Sequence, residues 1–311
     1  MIALLLLPLF LPWALPPLAR RAVSRVRPDI ALWAVTAASA ALAAGVVACL
    51  GALTLPAVLS VPRLGALADL VRPLAAGPRL LVLGIAALAA GALVLAACRG
   101  ARRAVSEVAH LRAAQARVAG LPEAGGLCVV DDPHPDAFAL PGGPGGADRI
   151  VVTSGMLRAL GPVEREALLA HERAHLAARH HLFASVAQLA GWCHPALAAT
   201  ADQVSFAAER AADEAAARRC GDRAVTARAV GRAALAASGA PRASVALAPG
   251  ASTGPVPARV KALLAPAPVR RLAPALLAMT LLCAAAGVSS AGGAVWLHRG
   301  VEVAQGENPS D

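Results

Sequence analysis

Near its middle the chain reads His171-Glu172-Arg173-Ala174-His175. On an α-helix, residues four apart lie on the same face, so this spacing sets His171 and His175 one turn apart on one side. Two imidazoles in that arrangement can bind a single tetrahedral Zn²⁺, and Glu172 beside them can reach a water molecule in the same site. The stretch therefore predicts a helix that carries part of a metal centre.

The residues just before this stretch predict that it is helical. Pro162 lies near the expected helix start, and Glu164 and Glu166 follow within the first turns, where carboxylates favour the positive end of the helix dipole. By chance alone the bare pattern would occur in roughly one chain in a hundred of this length. The helical context therefore favours a metal site over coincidence.

Two imidazoles leave a metal site incomplete, and Glu209 is the best candidate for a third ligand. It belongs to an Ala-rich run, 206–214, which predicts a helix with Glu209 and Asp213 on one face. Asp213 can accept a hydrogen bond from the outer N–H of a ligating histidine and fix its tautomer. Alone, the two carboxylates would indicate a solvated acidic face. Beside the histidine helix they predict a site for one Zn²⁺ per chain.

The same region resembles the membrane-bound gluzincins, a clan of zinc peptidases. The resemblance rests on segments 129–133, 136–143 and 149–157, followed by the His-Glu-x-x-His and Glu-x-x-x-Asp helices, and it covers roughly residues 99–265. Two branches fit: the BlaR/MecR type of antirepressor peptidase, and the CAAX prenyl protease and HtpX type. The segment Trp192-Cys193-His194-Pro195 and the form Ala-His-Glu-Arg-Ala-His-Leu of the motif favour the BlaR/MecR type.

This resemblance implies a role for each site residue. His171, His175 and Glu209 would bind zinc, Glu172 would be the catalytic general base and acid, and Asp213 would support a ligand from outside. An edge strand that binds the peptide substrate as a further strand is also implied, formed by Ala137, Phe138, Ala139 and Leu140. The implied activity is hydrolysis of peptide bonds in protein substrates.

The group that stabilises the oxyanion does not follow from the sequence. The chain has no tyrosine. His180, His181 and His194 are candidates, although histidines in such positions are more often capping or surface residues.

The composition predicts a membrane protein. The chain has 58% hydrophobic and 15% charged residues and a mean hydropathy of +0.61, which is too apolar for an ordinary soluble protein. A membrane-spanning helix needs about 20 apolar residues. Four segments approach or exceed that length: 2–19, 30–53, 80–98 and 272–297. The first is interpreted as a retained anchor rather than a signal peptide, because its arginines follow the apolar stretch instead of preceding it.

Basic residues flank the four segments unevenly. Most lie on one side, at Arg20, Arg21, Arg25, Arg27, Arg99, Arg102, Arg103, Lys261, Arg270 and Arg271. The other side carries fewer, among them Arg63, Arg72 and Arg299. By the positive-inside rule, the metal domain is expected on the cytoplasmic side of the plasma membrane. Topology and attraction to anionic lipid then explain the formal net charge of +10 without nucleic-acid binding.

One further apolar run, 182–201, is nearly long enough to cross a bilayer. A single crossing would put Glu209 on the opposite side from His171 and His175, where the three could not share a metal. We therefore expect a helix that is buried in the domain or lies at the membrane surface.

These observations predict a mainly α-helical architecture with multi-pass transmembrane helices and a cytoplasmic gluzincin domain that carries a small β-sheet or hairpin. The expected order is a membrane domain with three transmembrane helices (1–101), the zinc peptidase domain (102–237), a flexible linker and basic juxtamembrane segment (238–271), a fourth transmembrane helix (272–297) and a short outside tail (298–311). The linker is expected because its first part is rich in Ala, Gly, Pro and Ser.

The expected function is cleavage of a repressor in a regulatory signalling circuit. The alternatives are an HtpX-like protease for membrane protein quality control and, from another class, a catalytically silent membrane signal transducer. Glu172 argues against the silent transducer, which has no need of a general base. The expected partners are a protein or peptide substrate, the lipid bilayer and a separate sensor or repressor, with no nucleic acid.

Overall fold

The computed structural model describes residues 2–59, 78–143, 146–238, 255–266 and 274–305. In these ranges the protein is mainly helical with one small mixed sheet, as predicted. The helices are α1 (Ile2–Phe10), α2 (Leu15–Arg25), α3 (Pro28–Leu59), α4 (Arg79–Val118), α5 (Ser154–Ala159), α6 (Pro162–Ala177), α7 (His180–Cys193), α8 (Pro195–Cys220), α9 (Arg223–Ser238), α10 (Val256–Leu264) and α11 (Pro274–Gln305).

Within the described ranges, three helices are long and apolar enough to cross a membrane. They are Pro28–Leu55 within α3, all of α4, and Pro274–Gly292 within α11, and they correspond to the second, third and fourth predicted spans. Much of the apolar surface of α4 is exposed in the isolated chain; Leu88, for example, is 78% exposed. Such a surface suits contact with lipid rather than water.

The first predicted span, 2–19, is not one continuous helix. It divides into α1, a short 3-10 turn (Leu11–Ala14) and α2. Pro12 in the turn and Pro16 and Pro17 in the first turn of α2 explain the division, because proline has no N–H to donate and its ring crowds the preceding turn, whereas Pro8 lies inside α1. Both α1 and α2 pack against α3 and α11. The described structure therefore has three candidate spans and a broken N-terminal segment, where the sequence predicts four spans.

The sheet lies between α4 and α5 in the chain and has the strand order β1-β2-β4-β3. Its strands are β1 (Glu123–Ala124), β2 (Leu127–Val130), β3 (Ala137–Leu140) and β4 (Arg149–Thr153). β2 and β4 are parallel, whereas β3 pairs antiparallel with β4. β3 is thus an edge strand, and it contacts α6. Residues 137–140, which are predicted to bind substrate, therefore form an edge strand to which a further strand can add. Their role in substrate binding stays a prediction.

Helices α7 and α8 fold back on each other at His194 and Pro195. A Cβ atom on Gly191 would lie 2.9 Å from Cα of Ala198, so glycine permits this close approach. The hairpin shares one apolar core with α2, α3 and α11. The apolar run 182–201 therefore does not form a single crossing helix, as expected from the need to keep Glu209 near the histidines.

Two hydrogen bonds join α8 to the N-terminal helices. The hydroxyl groups of Ser39 and Thr200 lie 3.0 Å apart in the buried contact between α3 and α8. Farther along α8, the guanidinium group of Arg210 donates to the carbonyl of Val23 at 2.7 Å. Helix α8 therefore runs from the apolar middle of α3 toward the arginine-rich end of α2.

The predicted linker, 238–271, contains a packed helix. Helix α10 docks against α8 and α9, and its Leu263 is 2% exposed. Arg223 forms an ion pair with Glu214 and donates to the carbonyls of Ala262 and Leu263 at 3.0 Å each, which satisfies acceptors at the end of α10. Residues 256–264 of this segment thus form a packed helix that its Ala- and Pro-rich composition did not lead us to expect, and the predicted linker and basic juxtamembrane segment stays a prediction. Positions 239–254, 267–273 and 306–311 lie outside the described residues, and the predicted domain boundaries stay predictions.

Candidate metal centre

The candidate ligands come from two helices, α6 and α8, that pack against each other. Helix α6 begins at Pro162, and the N–H of Gly161 donates to the Glu164 carboxylate at 2.9 Å. This contact caps the helix start in the manner of a capping box. His171 and His175 lie in the second half of α6, as their spacing predicts.

The structure brings His171, His175 and Glu209 together, with one ligand atom from each inside a cluster 4.8 Å across. The Nε2 atoms of the two histidines are 3.1 Å apart. Oε2 of Glu209 lies 3.5 Å from Nε2 of His171, and Oε1 of Glu209 lies 3.6 Å from Nε2 of His175. Two donors on one tetrahedral zinc ion, with bonds of about 2.05 Å, lie about 3.3 Å apart. The three groups therefore fit one tetrahedral cation with two nitrogen donors and one oxygen donor.

Asp213 contacts the outer nitrogen of His171. Its Oδ1 lies 3.0 Å from Nδ1 of His171, and the Asp213 side chain is 2% exposed. The nitrogen has no well-aligned hydrogen bond, so the contact is best described as an ion pair. Burial lowers the pKa of His171, but the contacts with Asp213 and Glu209 outweigh burial and raise the pKa to about 10. Asp213 has the position expected of a carboxylate that supports a ligating histidine.

His175 has a histidine, not a carboxylate, at its outer nitrogen. Its Nδ1 lies 3.1 Å from Nδ1 of His180, the first residue of α7. Arg179 between the two helices adopts a left-handed φ of 51°, which reverses the chain and returns His180 to α6. Burial, followed by the charge of His171, lowers the pKa of His175 to about 3, and burial lowers the pKa of His180 to about 4. Both rings are neutral at neutral pH, as a metal ligand must be.

The other two histidines considered as oxyanion helpers have ordinary positions. His181 is exposed on α7. The ring of His194 accepts a hydrogen bond from the backbone N–H of Ala196 at 3.2 Å and so caps the start of α8. His194 is therefore a helix cap.

Glu172 is buried beside the three candidate ligands, with 9% of its surface exposed. Burial raises the pKa of Glu172 to about 7, while the charge of His171 and a hydrogen bond from the backbone N–H of Ala139 oppose the rise. Because Ala139 belongs to β3, the edge strand reaches the same carboxylate. A carboxyl group with a pKa near neutrality can both accept and release a proton under working conditions.

Arg259 on α10 is the site residue that the sequence analysis missed. Its Nε and Nη2 atoms donate to Asp213 at 2.8 and 2.7 Å, and its Nη1 atom lies 2.7 Å from Oε2 of Glu209. Burial alone would raise the pKa of both carboxyl groups, but ion pairs with His171 and Arg259 lower the pKa of each. A sequence signal existed: Val256, Val260 and Leu263 recur at helical spacing around the arginine.

A buried glutamate beside two imidazoles and a carboxylate is an arrangement typical of metallopeptidases. The comparison with protein families supports that class: residues 102–194 match the family model of Peptidase family M48. The match covers under a third of the chain and supports this metallopeptidase family broadly. It includes His171, Glu172 and His175 but ends before Glu209. A search of curated proteins found no match, and a search of solved structures found none either.

Proposed function

We propose that the protein is a membrane-embedded zinc endopeptidase that hydrolyses peptide bonds of protein substrates on the cytoplasmic side of the plasma membrane. One observation carries the proposal: His171, His175 and Glu209 converge from two helices at separations that suit one tetrahedral ion, beside the buried Glu172. Two imidazoles and one carboxylate form a donor set that is typical of catalytic zinc. A zinc ion in this site supplies Lewis acidity toward water and the scissile carbonyl.

The side chains of the site have complementary tasks in this proposal. Glu172 accepts a proton from the attacking water and returns it to the leaving amine. His171 and His175 present their Nε2 atoms to one point, while Asp213 and His180 contact their Nδ1 atoms and limit ring rotation. Each histidine is thereby held in the orientation that a metal ligand needs.

Strand β3 is the proposed binding site for the substrate main chain. It lies at the sheet edge, it contacts α6, and the N–H of Ala139 reaches the carboxylate of Glu172. A peptide that adds to residues 137–140 as an extended strand would lie along the metal centre, aligned by main-chain hydrogen bonds. This mode of binding favours extended or unfolded segments over folded substrates.

The cytoplasmic side is proposed from the position of the site relative to α2. Glu209 directly precedes Arg210, which is bonded to Val23 in α2. The same helix exposes three arginines in this region: Arg20, Arg21 and Arg25. Arginines concentrate on the cytoplasmic side of membrane proteins. The proposal thus puts the metal centre near the cytoplasmic membrane surface.

The proposed biological role is regulatory, with a cytoplasmic repressor as substrate. It is supported by the resemblance of the sequence to the BlaR/MecR type. Quality control of membrane proteins is the second candidate. The position of Glu209 near the arginine-rich end of α2 favours this role, because it would place the metal centre close to the membrane surface, where membrane-anchored substrates lie. The two roles can be distinguished with the enzyme in vesicles. Cleavage of a soluble repressor would support the regulatory role, and cleavage of a membrane-anchored unfolded protein would support quality control.

The test of the activity itself compares the full-length protein with Glu172→Gln, which keeps the size of the side chain. We expect both proteins to retain about one zinc ion per chain, and only the wild type to cleave casein. Cleavage by Glu172→Gln would contradict the assigned role of Glu172. A wild-type protein that binds zinc and cleaves neither casein nor the two candidate substrates would favour a silent transducer.

A further inference from the structure

We propose that Arg259 is a positioning residue of the metal centre, which holds Glu209 and Asp213 in the arrangement that binds the ion. This inference rests on the proposed function. It assigns a task in the site to helix α10, which lies between the peptidase region and the last candidate membrane helix and far beyond the family match.

The guanidinium group of Arg259 is fully engaged by the two carboxylates. Two of its nitrogens bond to Asp213, and the third contacts Glu209. The side chain is 8% exposed. Each of the three nitrogens contacts a carboxylate, and little of the side chain is open to a substrate. Its action on the reaction therefore passes through Glu209 and Asp213.

The contacts of Arg259 define the orientation of both carboxylates. Oε2 of Glu209 lies 2.7 Å from Nη1 of Arg259 and 3.5 Å from Nε2 of His171, and Oε1 lies 3.6 Å from Nε2 of His175. Oδ1 of Asp213 is shared between Nη2 of Arg259 and Nδ1 of His171. The planar guanidinium of Arg259 thus connects the candidate ligand Glu209 with Asp213, which contacts the candidate ligand His171. Lysine cannot replace this fork, because its single ammonium group lacks the planar geometry that bridges two carboxylates.

Helix α10 is also held by a second arginine, which offers a matched control. Arg223 pairs with Glu214 and bonds to the carbonyls of Ala262 and Leu263, but it contacts none of the three candidate ligands. Arg223→Lys therefore weakens the docking of α10 while it leaves Arg259 in place. The pair of variants separates the position of α10 from the action of the Arg259 guanidinium.

The experiment measures zinc affinity by competition with a chromophoric chelator, using full-length protein at a temperature where thermal unfolding shows each variant to be folded. We expect Arg259→Lys to lower the affinity by roughly 10- to 100-fold, the usual effect of losing a partner outside the ligands. In the zinc-saturated enzyme, kcat should fall with KM nearly unchanged. Arg223→Lys should lower the thermal midpoint and leave zinc affinity at the wild-type value.

The zinc affinity of a double variant distinguishes the positioning role from general destabilisation. Because part of the action of Arg259 passes through Asp213, Arg259→Lys should cost less zinc affinity in an Asp213→Asn background than in the wild type. Wild-type affinity in Arg259→Lys, equal losses in Arg259→Lys and Arg223→Lys, or additive losses in the double variant would each overturn the positioning role. A wild-type protein that binds no zinc would instead overturn the proposed function.

Discussion

Nδ1 of His171 lies 3.0 Å from Oδ1 of Asp213, and the two residues belong to different helices that pack together. Among the residues that the structure describes, Asp213 is the most deeply buried acidic residue, with 2% of its surface exposed. This buried ion pair favours one relative position of α6 and α8. A substitution of Asp213 therefore affects the candidate metal centre through His171, without replacing a candidate ligand.

The carboxylate of Glu209 is predicted to be indispensable for metal binding. Glu209→Gln keeps the shape but loses the charge, so zinc affinity should fall by more than the roughly 10- to 100-fold typical of outer partners. Zinc content after dialysis against a chelator measures the effect. Asp202→Asn, an exposed acidic residue of the same helix, is the control and should retain wild-type zinc. Equal zinc in the two variants would show that the third ligand lies elsewhere.

Asp213→Asn should weaken zinc binding and also lower the stability of the metal-free protein. The amide cannot match the charge that the buried Arg259 requires, and breaking a buried ion pair typically costs about 3–5 kcal/mol. Thermal unfolding with and without zinc separates the two effects. Glu164→Gln removes the ion pair with the more exposed Arg232 and serves as the control. A midpoint for Asp213→Asn no lower than that of the control would count against the described network.

Zinc affinity should rise with pH. The raised pKa of His171, about 10, means that the metal-free site holds a proton on this ring near neutral pH. Zinc binds the neutral ring, so binding expels the proton and becomes more favourable by roughly tenfold per pH unit from about pH 7 to about pH 9. Calorimetry in buffers of different ionisation enthalpy counts the released proton. Affinity that is independent of pH in this range would show that His171 is already neutral in the metal-free protein.

Gly191→Ala should destabilise the hairpin of α7 and α8. The added Cβ would lie 2.9 Å from Cα of Ala198, which is too close, and overpacking of this kind costs about 1–3 kcal/mol. Gly84→Ala is the matched control, because a Cβ there meets nothing within 4 Å. Thermal unfolding in detergent compares the two variants. Equal midpoints would mean that the helices can separate at little cost.

The sequence predicts the core of the site because its geometry is local. The spacing of His171 and His175 becomes a shared face as soon as a helix forms, and the same holds for Glu209 and Asp213. The convergence of the two pairs needed one further premise, a common metal ion. The structure brings the pairs together at the separations that such an ion requires.

What the sequence did not predict depends on tertiary contacts. Arg259 meets Glu209 and Asp213 only because α10 docks on α8 and α9, and no spacing rule connects residues so far apart. His180 reaches His175 through the left-handed turn at Arg179, a conformation that residue type alone does not indicate. The first predicted span, 2–19, differs from these two cases, because its division could be predicted from the sequence. Its prolines indicate a break, but the prediction of one span relied on the length of the apolar run.

The most direct test of the account is the coordination of zinc in the purified full-length protein, measured by X-ray absorption at the zinc edge. We predict one zinc ion with two imidazole nitrogens and carboxylate oxygen at about 2.0–2.2 Å, and loss of this signal in Glu209→Gln. A signal with sulfur ligands, or one that is unchanged in Glu209→Gln, would contradict the claim that His171, His175 and Glu209 bind the ion.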